Sequence, residues 1–182
     1  NQNIQVSCRL YLYQMLLAYM FGGFELALQM AGKCRKMENL LLGKFEQCEL
    51  IFFYGLISFT EARKSNEGSW KELAEESIKK MRKWAKDAPC NCEHKLHLLE
   101  AESCFLAGTN DRAVEKYESA IQFSGTNGFI QDQALSYERA AMYYLEMGDV
   151  STASHHYGKA HDAYLNWGAN GKADHMCRHS PF

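Results

Sequence analysis

Apolar residues recur along this chain at every third and fourth position, with polar residues between them. The clearest segment is 69–85, where Trp70, Leu73, Ala74, Ser77, Ile78, Met81 and Trp84 form a continuous apolar or small stripe on one face of an α-helix. Its charges follow the helix dipole: Glu72, Glu75 and Glu76 lie near the start, and Lys79, Lys80, Arg82, Lys83 and Lys86 near the end. Ser69 is the expected N-cap and Pro89 the expected stop. The same period predicts helices over 4–20, 23–35, 37–62, 95–107, 111–123, 130–147 and 150–167, with a short one over 172–178. No segment alternates with period two for long enough to form a strand. The pattern therefore predicts an all-α chain of about eight or nine helices.

A second, longer period overlies the first. Ala101, Gly108, Ala113, Tyr117 and Ala120 recur as Ala141, Gly148, Ala153, Tyr157 and Ala160, with an offset of 40 at all five positions. A glycine that ends one helix in a left-handed conformation, followed by small residues that let two helices approach, is the logic of a helix–turn–helix unit. Gly22, Ala27, Ala31 and Cys34 repeat the theme more weakly. Such a unit cannot bury its apolar face alone, whereas stacked units can, so the expected architecture is an α-solenoid of antiparallel helix pairs. The clearest repeats are 95–128 and 130–167. The spacing Ala–x6–Gly–x4–Ala–x3–Tyr–x2–Ala resembles the second half of the tetratricopeptide repeat (TPR). Its period of 40 and the lack of a unit-closing proline make it TPR-like.

Composition narrows the function classes. The 182 residues contain two prolines and 13 glycines, which excludes collagenous and proline-rich disordered chains. Twenty basic residues against 22 acidic ones give a net charge of −2, which does not ask for nucleic acid or an anionic membrane as partner. The most apolar run, 10–24, is too short to span a membrane and contains Gln14. Seven cysteines, an odd number set mostly in apolar segments, read as reduced thiols and point to a cytoplasmic chain. The chain starts at Asn1 without methionine or a signal pattern, so 1–182 is expected to be a single helical-repeat segment of a longer protein.

Residues 89–173 carry a more specific likeness. Pro89, Asn91, His94-Lys95, Leu98-Leu99 and Ala101-Glu102 are followed by Ala113-Val114, Tyr117 and Ala120-Ile121. Next come Asn127-Gly128-Phe129-Ile130-Gln131, and the stretch ends at Ala160, Ala163-Tyr164, Trp167-Gly168-Ala169 and Lys172-Ala173. This order resembles the TPR-like helical region of multi-sensor signalling kinases, in which a serine/threonine-kinase-like domain and an AAA/STAND ATPase precede the helices. GAF and histidine-kinase domains often follow them. The resemblance implies a regulatory, protein-binding role in signal transduction, and no catalytic residue of that family maps onto these 182 positions.

Several residue groups suggest chemistry of their own. Cys90, Cys92, His94 and His97 place two thiols and two imidazoles at short spacing, as a zinc site would, although four convergent ligands are needed. The bland alternative is a loop entering a helix, with His94 capping or packing. His155, His156 and His161, and the pair His175 and His179, lack the glutamate of a metalloprotease helix and read as surface residues. Gly168 to Ala173 loosely resembles a phosphate loop. The first glycine of that motif would fall at Asn166, its hydroxyl residue at Ala173, and a helix precedes it where a strand is required. Lys79, Lys80, Arg82, Lys83 and Lys86 read as a solvated face. The aromatic clusters Tyr11, Tyr13, Tyr19 and Phe21, then Phe52, Phe53 and Tyr54, then Tyr143 and Tyr144, are expected to pack between helices, some of them lining a groove. No catalytic set and no cofactor is expected. The function expected is a non-catalytic regulatory or protein-interaction segment of a kinase/ATPase-type signalling protein. The alternatives are a stand-alone TPR-like adaptor or structural subunit that takes a protein partner in its groove, and a metal-binding module built on Cys90–His97.

Overall fold

The computed structural model describes residues 2–65 and 68–182. Among them are nine α-helices and no strand: α1 (Gln2–Met20), α2 (Phe24–Arg35), α3 (Phe45–Lys64), α4 (Gly68–Asp87), α5 (Pro89–Leu106), α6 (Asn110–Thr126), α7 (Ile130–Glu146), α8 (Val150–Trp167) and α9 (Asn170–Arg178). The all-α expectation is met, in the upper of the two helix numbers. No helix is long and apolar enough to cross a membrane among the described residues. The chain divides into two compact units, with the division after Met81, inside α4.

Consecutive helices from α5 to α9 pack as neighbours, joined by the short connections 107–109, 127–129, 147–149 and 168–169. Each connection is built the same way. Gly108, Gly128, Gly148 and Gly168 all have positive φ, between +70° and +87°. In each turn the glycine N–H donates to the carbonyl three residues back, and the next N–H donates to the carbonyl five back. Examples are Gly108 N to Phe105 O (3.1 Å) with Thr109 N to Cys104 O (3.0 Å), and Gly148 N to Leu145 O with Asp149 N to Tyr144 O (both 3.0 Å). This paired closure is the Schellman motif, which satisfies carbonyls that a helix end leaves open. Gly22 (φ +76°) closes α1 in the same way. These four left-handed glycines stand 20 residues apart, so the 40-residue register is two helices long and each half ends alike.

The small residues of the register do what their size suggests. Ala101, Ala113, Ala120, Ala141, Ala153 and Ala160 are all fully buried, as are Ala27, Ala31 and Cys34 in the first unit. Without long side chains at the contact, neighbouring backbones are free to approach closely. In the first unit α3 is the buried element, with every residue from Leu50 to Thr60 out of solvent. A helix that is apolar around its whole circumference belongs inside.

Three boundaries depart from the periodic pattern. The span 37–62 is not one helix: a 3-10 turn (Glu38–Leu41) and a break precede α3. Gly43 is left-handed at φ +71°, and Lys44 is extended. Ser69 is the second residue of α4 and not its cap, because the helix begins at Gly68. Pro89 does not only stop a helix. It occupies the first turn of α5, where its missing N–H costs nothing, so residues 90–97 are helical and not a loop. The apolar stripe of α4 holds as read, with Ala74, Ser77, Ile78 and Met81 buried.

Candidate functional site

In the second unit, ionisable side chains that the apolar pattern hides come together between alternate helices. Lys95 in α5 is only 1% exposed and Asp132 in the first turn of α7 only 4%. The Lys95 ammonium donates to Asp132 Oδ2. The same oxygen meets His94 Nε2 at 2.8 Å. The His94 ring stacks on Phe129 at 4.6 Å, and the Lys95 ammonium lies 5.7 Å from the Phe129 ring centre. Burial alone would raise the Asp132 carboxyl. The Lys95 charge and the His94 hydrogen bond overcome it and hold the group below its ordinary value of 3.8. The position of Asp132 at the start of α7 adds the favourable end of the helix dipole.

Two turns further along the same helix pair, the charge order inverts. Glu102 of α5, fully buried, accepts from Arg139 of α7 through Nε (2.8 Å) and Nη2 (3.0 Å), and from the Tyr117 hydroxyl of α6 (2.9 Å). The next step of the stack repeats this arrangement. Glu138 of α7 accepts from the Tyr164 hydroxyl of α8 (2.8 Å) and from the buried Lys172 of α9 (2.7 Å). In both cases a carboxylate on one helix takes a tyrosine from the following helix and a cation from the one after that. Lys95 and Glu102 are seven residues apart, as are Asp132 and Arg139. α5 and α7 therefore lie in parallel register with complementary charges at matching heights. Breaking one partner of such a buried pair leaves an uncompensated charge, which is what makes the pairing selective.

The structure sends the sequence-predicted residues to different places. Cys90 is exposed and Cys92 buried on another face of α5. His94 is committed to Asp132 and Phe129, so it is a buried network residue and not a cap. His97 tilts against Phe123 at 5.2 Å and lies 3.5 Å from Lys116 Nζ. These four do not converge, and no group of three or more metal-type ligands forms among the described residues. His156 is a correction to the surface reading. It is buried between helices, with Nδ1 against Thr152 O (2.9 Å) and Nε2 against Glu118 (3.2 Å). His155 is exposed, and His175 of α9 stacks at 4.1 Å on His179, the residue that caps the helix end.

The recurring tyrosines diverge. Tyr117 is fully buried on Glu102, whereas Tyr157 is half-buried and donates to Met176 O at 3.1 Å. The role of Tyr117 passes in the second repeat to Tyr164, which the 40-residue register does not mark. Most aromatic clusters pack as expected: Tyr19 meets Phe24 and Phe53 edge-on, both at 5.7 Å, and Tyr143 meets Phe105 at 5.1 Å. Tyr13 and Phe21 instead face outward. Of the basic group on α4, Lys79, Lys83 and Lys86 are exposed, while Lys80 reaches Glu38 (3.1 Å) and Arg82 reaches Glu100 (2.7 Å). The Lys80 pair borders a shallow cleft in the first unit, floored by Tyr54 and Ile51, with room for about one water molecule.

The ionic network was findable in principle. Lys95–x6–Glu102 and Asp132–x6–Arg139 are charges inside otherwise apolar stripes, and charges there are buried only when paired. No family model, curated protein or solved structure matches this chain.

Proposed function

We propose that this chain is a non-catalytic helical-repeat segment that scaffolds and relays between domains of a cytoplasmic kinase/ATPase-type signalling protein. The observation that carries the reading is the use made of buried charge. Lys95–Asp132, Glu102–Arg139 and Glu138–Lys172 each tie one helix of the stack to the next but one. Lys95 and Asp132 are closed to solvent, which supports reading their pairing as a tie between helices. A stack joined in this way moves as a unit when one end is displaced, which suits a relay between domains. None of the seven cysteines is joined in a disulfide, which supports a reducing compartment.

The test is the open reading frame on both sides of these residues. Kinase-like, ATPase or GAF sequence flanking them supports the relay. A frame holding no such domain overturns it, and a stoichiometric complex with one protein partner then supports a stand-alone adaptor.

A further inference from the structure

Lys95–Asp132, Glu102–Arg139 and Glu138–Lys172 join alternate helices with a lysine or an arginine as the cation. His156–Glu118 joins α8 to α6 in the same manner, with a histidine in that place. Histidine is the one side chain among these cations that ordinarily titrates near neutral pH. His156 is 8% exposed, and both of its ring nitrogens face acceptors. Nδ1 meets the Thr152 carbonyl at 2.9 Å, and Nε2 meets Glu118 Oε1 at 3.2 Å. A neutral imidazole has one N–H and one lone pair, so it satisfies one acceptor and presents its lone pair to the other. Only the imidazolium donates to both.

We propose that a proton on His156 switches the tie between α6 and α8. The Nδ1–H bond to Thr152, one turn back on the same helix, persists in both states. The Nε2 bond forms only in the protonated ring, and Glu118, whose side chain is 55% exposed, turns to water when that proton leaves. The titratable and charged groups facing the ring are Glu118 of α6, Tyr137 and Tyr144 of α7, and Asp149 and His155 beside it in the chain. The Tyr144 and Tyr137 rings lie 5.0 and 5.9 Å away, within the ~6 Å over which an aromatic ring attracts a cation. Burial, then Glu118, push both phenols above their ordinary value of 10, so they stay neutral. Asp149, at the start of α8, adds a second carboxylate within electrostatic reach. His155 is exposed and meets His156 edge-on at 5.9 Å. His97 is the contrast: burial, then the Lys116 ammonium beside it, hold that ring below its ordinary value of 6.5. The tied state of α6 and α8 carries one more proton than the released state, so acid favours it and alkali undoes it. The switch belongs to these three helices and holds whether or not the stack relays between domains.

Urea unfolding of the 182-residue chain and its Glu118→Gln variant, at about pH 5.5 and about pH 8.5 on either side of the ordinary histidine range, tests the switch. Glu118→Gln should lower the folded-to-unfolded ratio by about threefold or more at the acid pH. At the alkaline pH the ratio should be unchanged or higher, because a glutamine N–H suits the neutral ring. In a His156→Gln background the effect of Glu118→Gln should be the same at both pH values. Nitrogen NMR of the unsubstituted chain should show His156 Nδ1 protonated at both pH values and Nε2 at the acid one only. An equal cost of Glu118→Gln at both pH values overturns the proposal, as does a neutral His156 ring protonated at Nε2. A pH-dependent cost of Glu118→Gln that survives His156→Gln assigns the proton to another group and overturns it as well.

Discussion

Gly148 and Gly158 lie ten residues apart and should respond oppositely to a larger side chain. Gly148 closes α7 at φ +81°, and a Cβ there meets no atom within 4 Å. The cost of Gly148→Val is therefore one of backbone conformation alone, about 1 kcal/mol or more. Gly158 lies inside α8 with equally open surroundings and no positive φ. Gly158→Ala should stabilise by about 0.5–1 kcal/mol, because alanine reduces the freedom of the unfolded chain and favours helix. Thermal or urea midpoints of the two variants check both signs. The cysteines offer a second residue-scale test. Burial, with the Cys8 thiol beside it, pushes the Cys34 thiol up to about 12. Cys90 and Cys177 are exposed. At neutral pH a thiol reagent should modify Cys90 and Cys177 in the native chain and reach Cys34 only on unfolding. Much at this scale was legible in advance. Gly108 and Gly148 announced their turns through the 40-residue recurrence, and the alanines between them announced close packing. Tyr157 shows the limit, since the same register position ends on the Met176 carbonyl and not on a buried carboxylate.

Among the helices, α5 and α7 are held by two ion pairs of opposite order, and the first of them is the more enclosed. Asp132→Asn leaves the Lys95 ammonium buried against a neutral group and should cost about 3 kcal/mol. Replacing both partners with apolar residues, Lys95→Met with Asp132→Leu, should recover at least half of that loss, measured by denaturant midpoint and compared as a double-mutant cycle. If the double variant is as unstable as Asp132→Asn, the penalty lies in packing and not in unpaired charge. Helix identity was readable from periodicity because the apolar stripe of α4 and the small-residue register both follow the 3.6-residue turn. Helix ends were less so. Pro89 fits a stop and a first-turn residue equally well, and which role it takes depends on whether the following residues find a partner. Here His94 and Lys95 find Asp132, and the helix starts at the proline.

For the chain as a whole, the lowered Asp132 carboxyl links stability to pH. Its folded value lies below the unfolded one, so the unfolded state binds the extra proton. The contribution is fully present above the ordinary value of 3.8 and is lost as pH falls through the folded value. Glu100 adds to the same trend: burial would raise it, but Lys116 and Arg82 hold it below 4.5. The melting temperature should fall on acidification below about pH 4, and the gap between the native chain and Asp132→Asn should narrow there as Asp132 becomes protonated. Melting curves from pH 7 down to pH 2 check this, and a gap that stays constant would contradict it. Local chemistry read along the chain is enough to establish an all-helical stack of small-residue repeats closed by left-handed glycines, because helix period, turn conformation and side-chain size are properties of neighbouring residues. The pairing of Lys95 with Asp132, the passage of the tyrosine role from Tyr117 to Tyr164, and the seating of His156 against Glu118 were decided only by the tertiary structure. Each depends on residues distant in sequence arriving at the same height on adjacent helices. A one-dimensional pattern records that a face is apolar or charged, but not what lies opposite it.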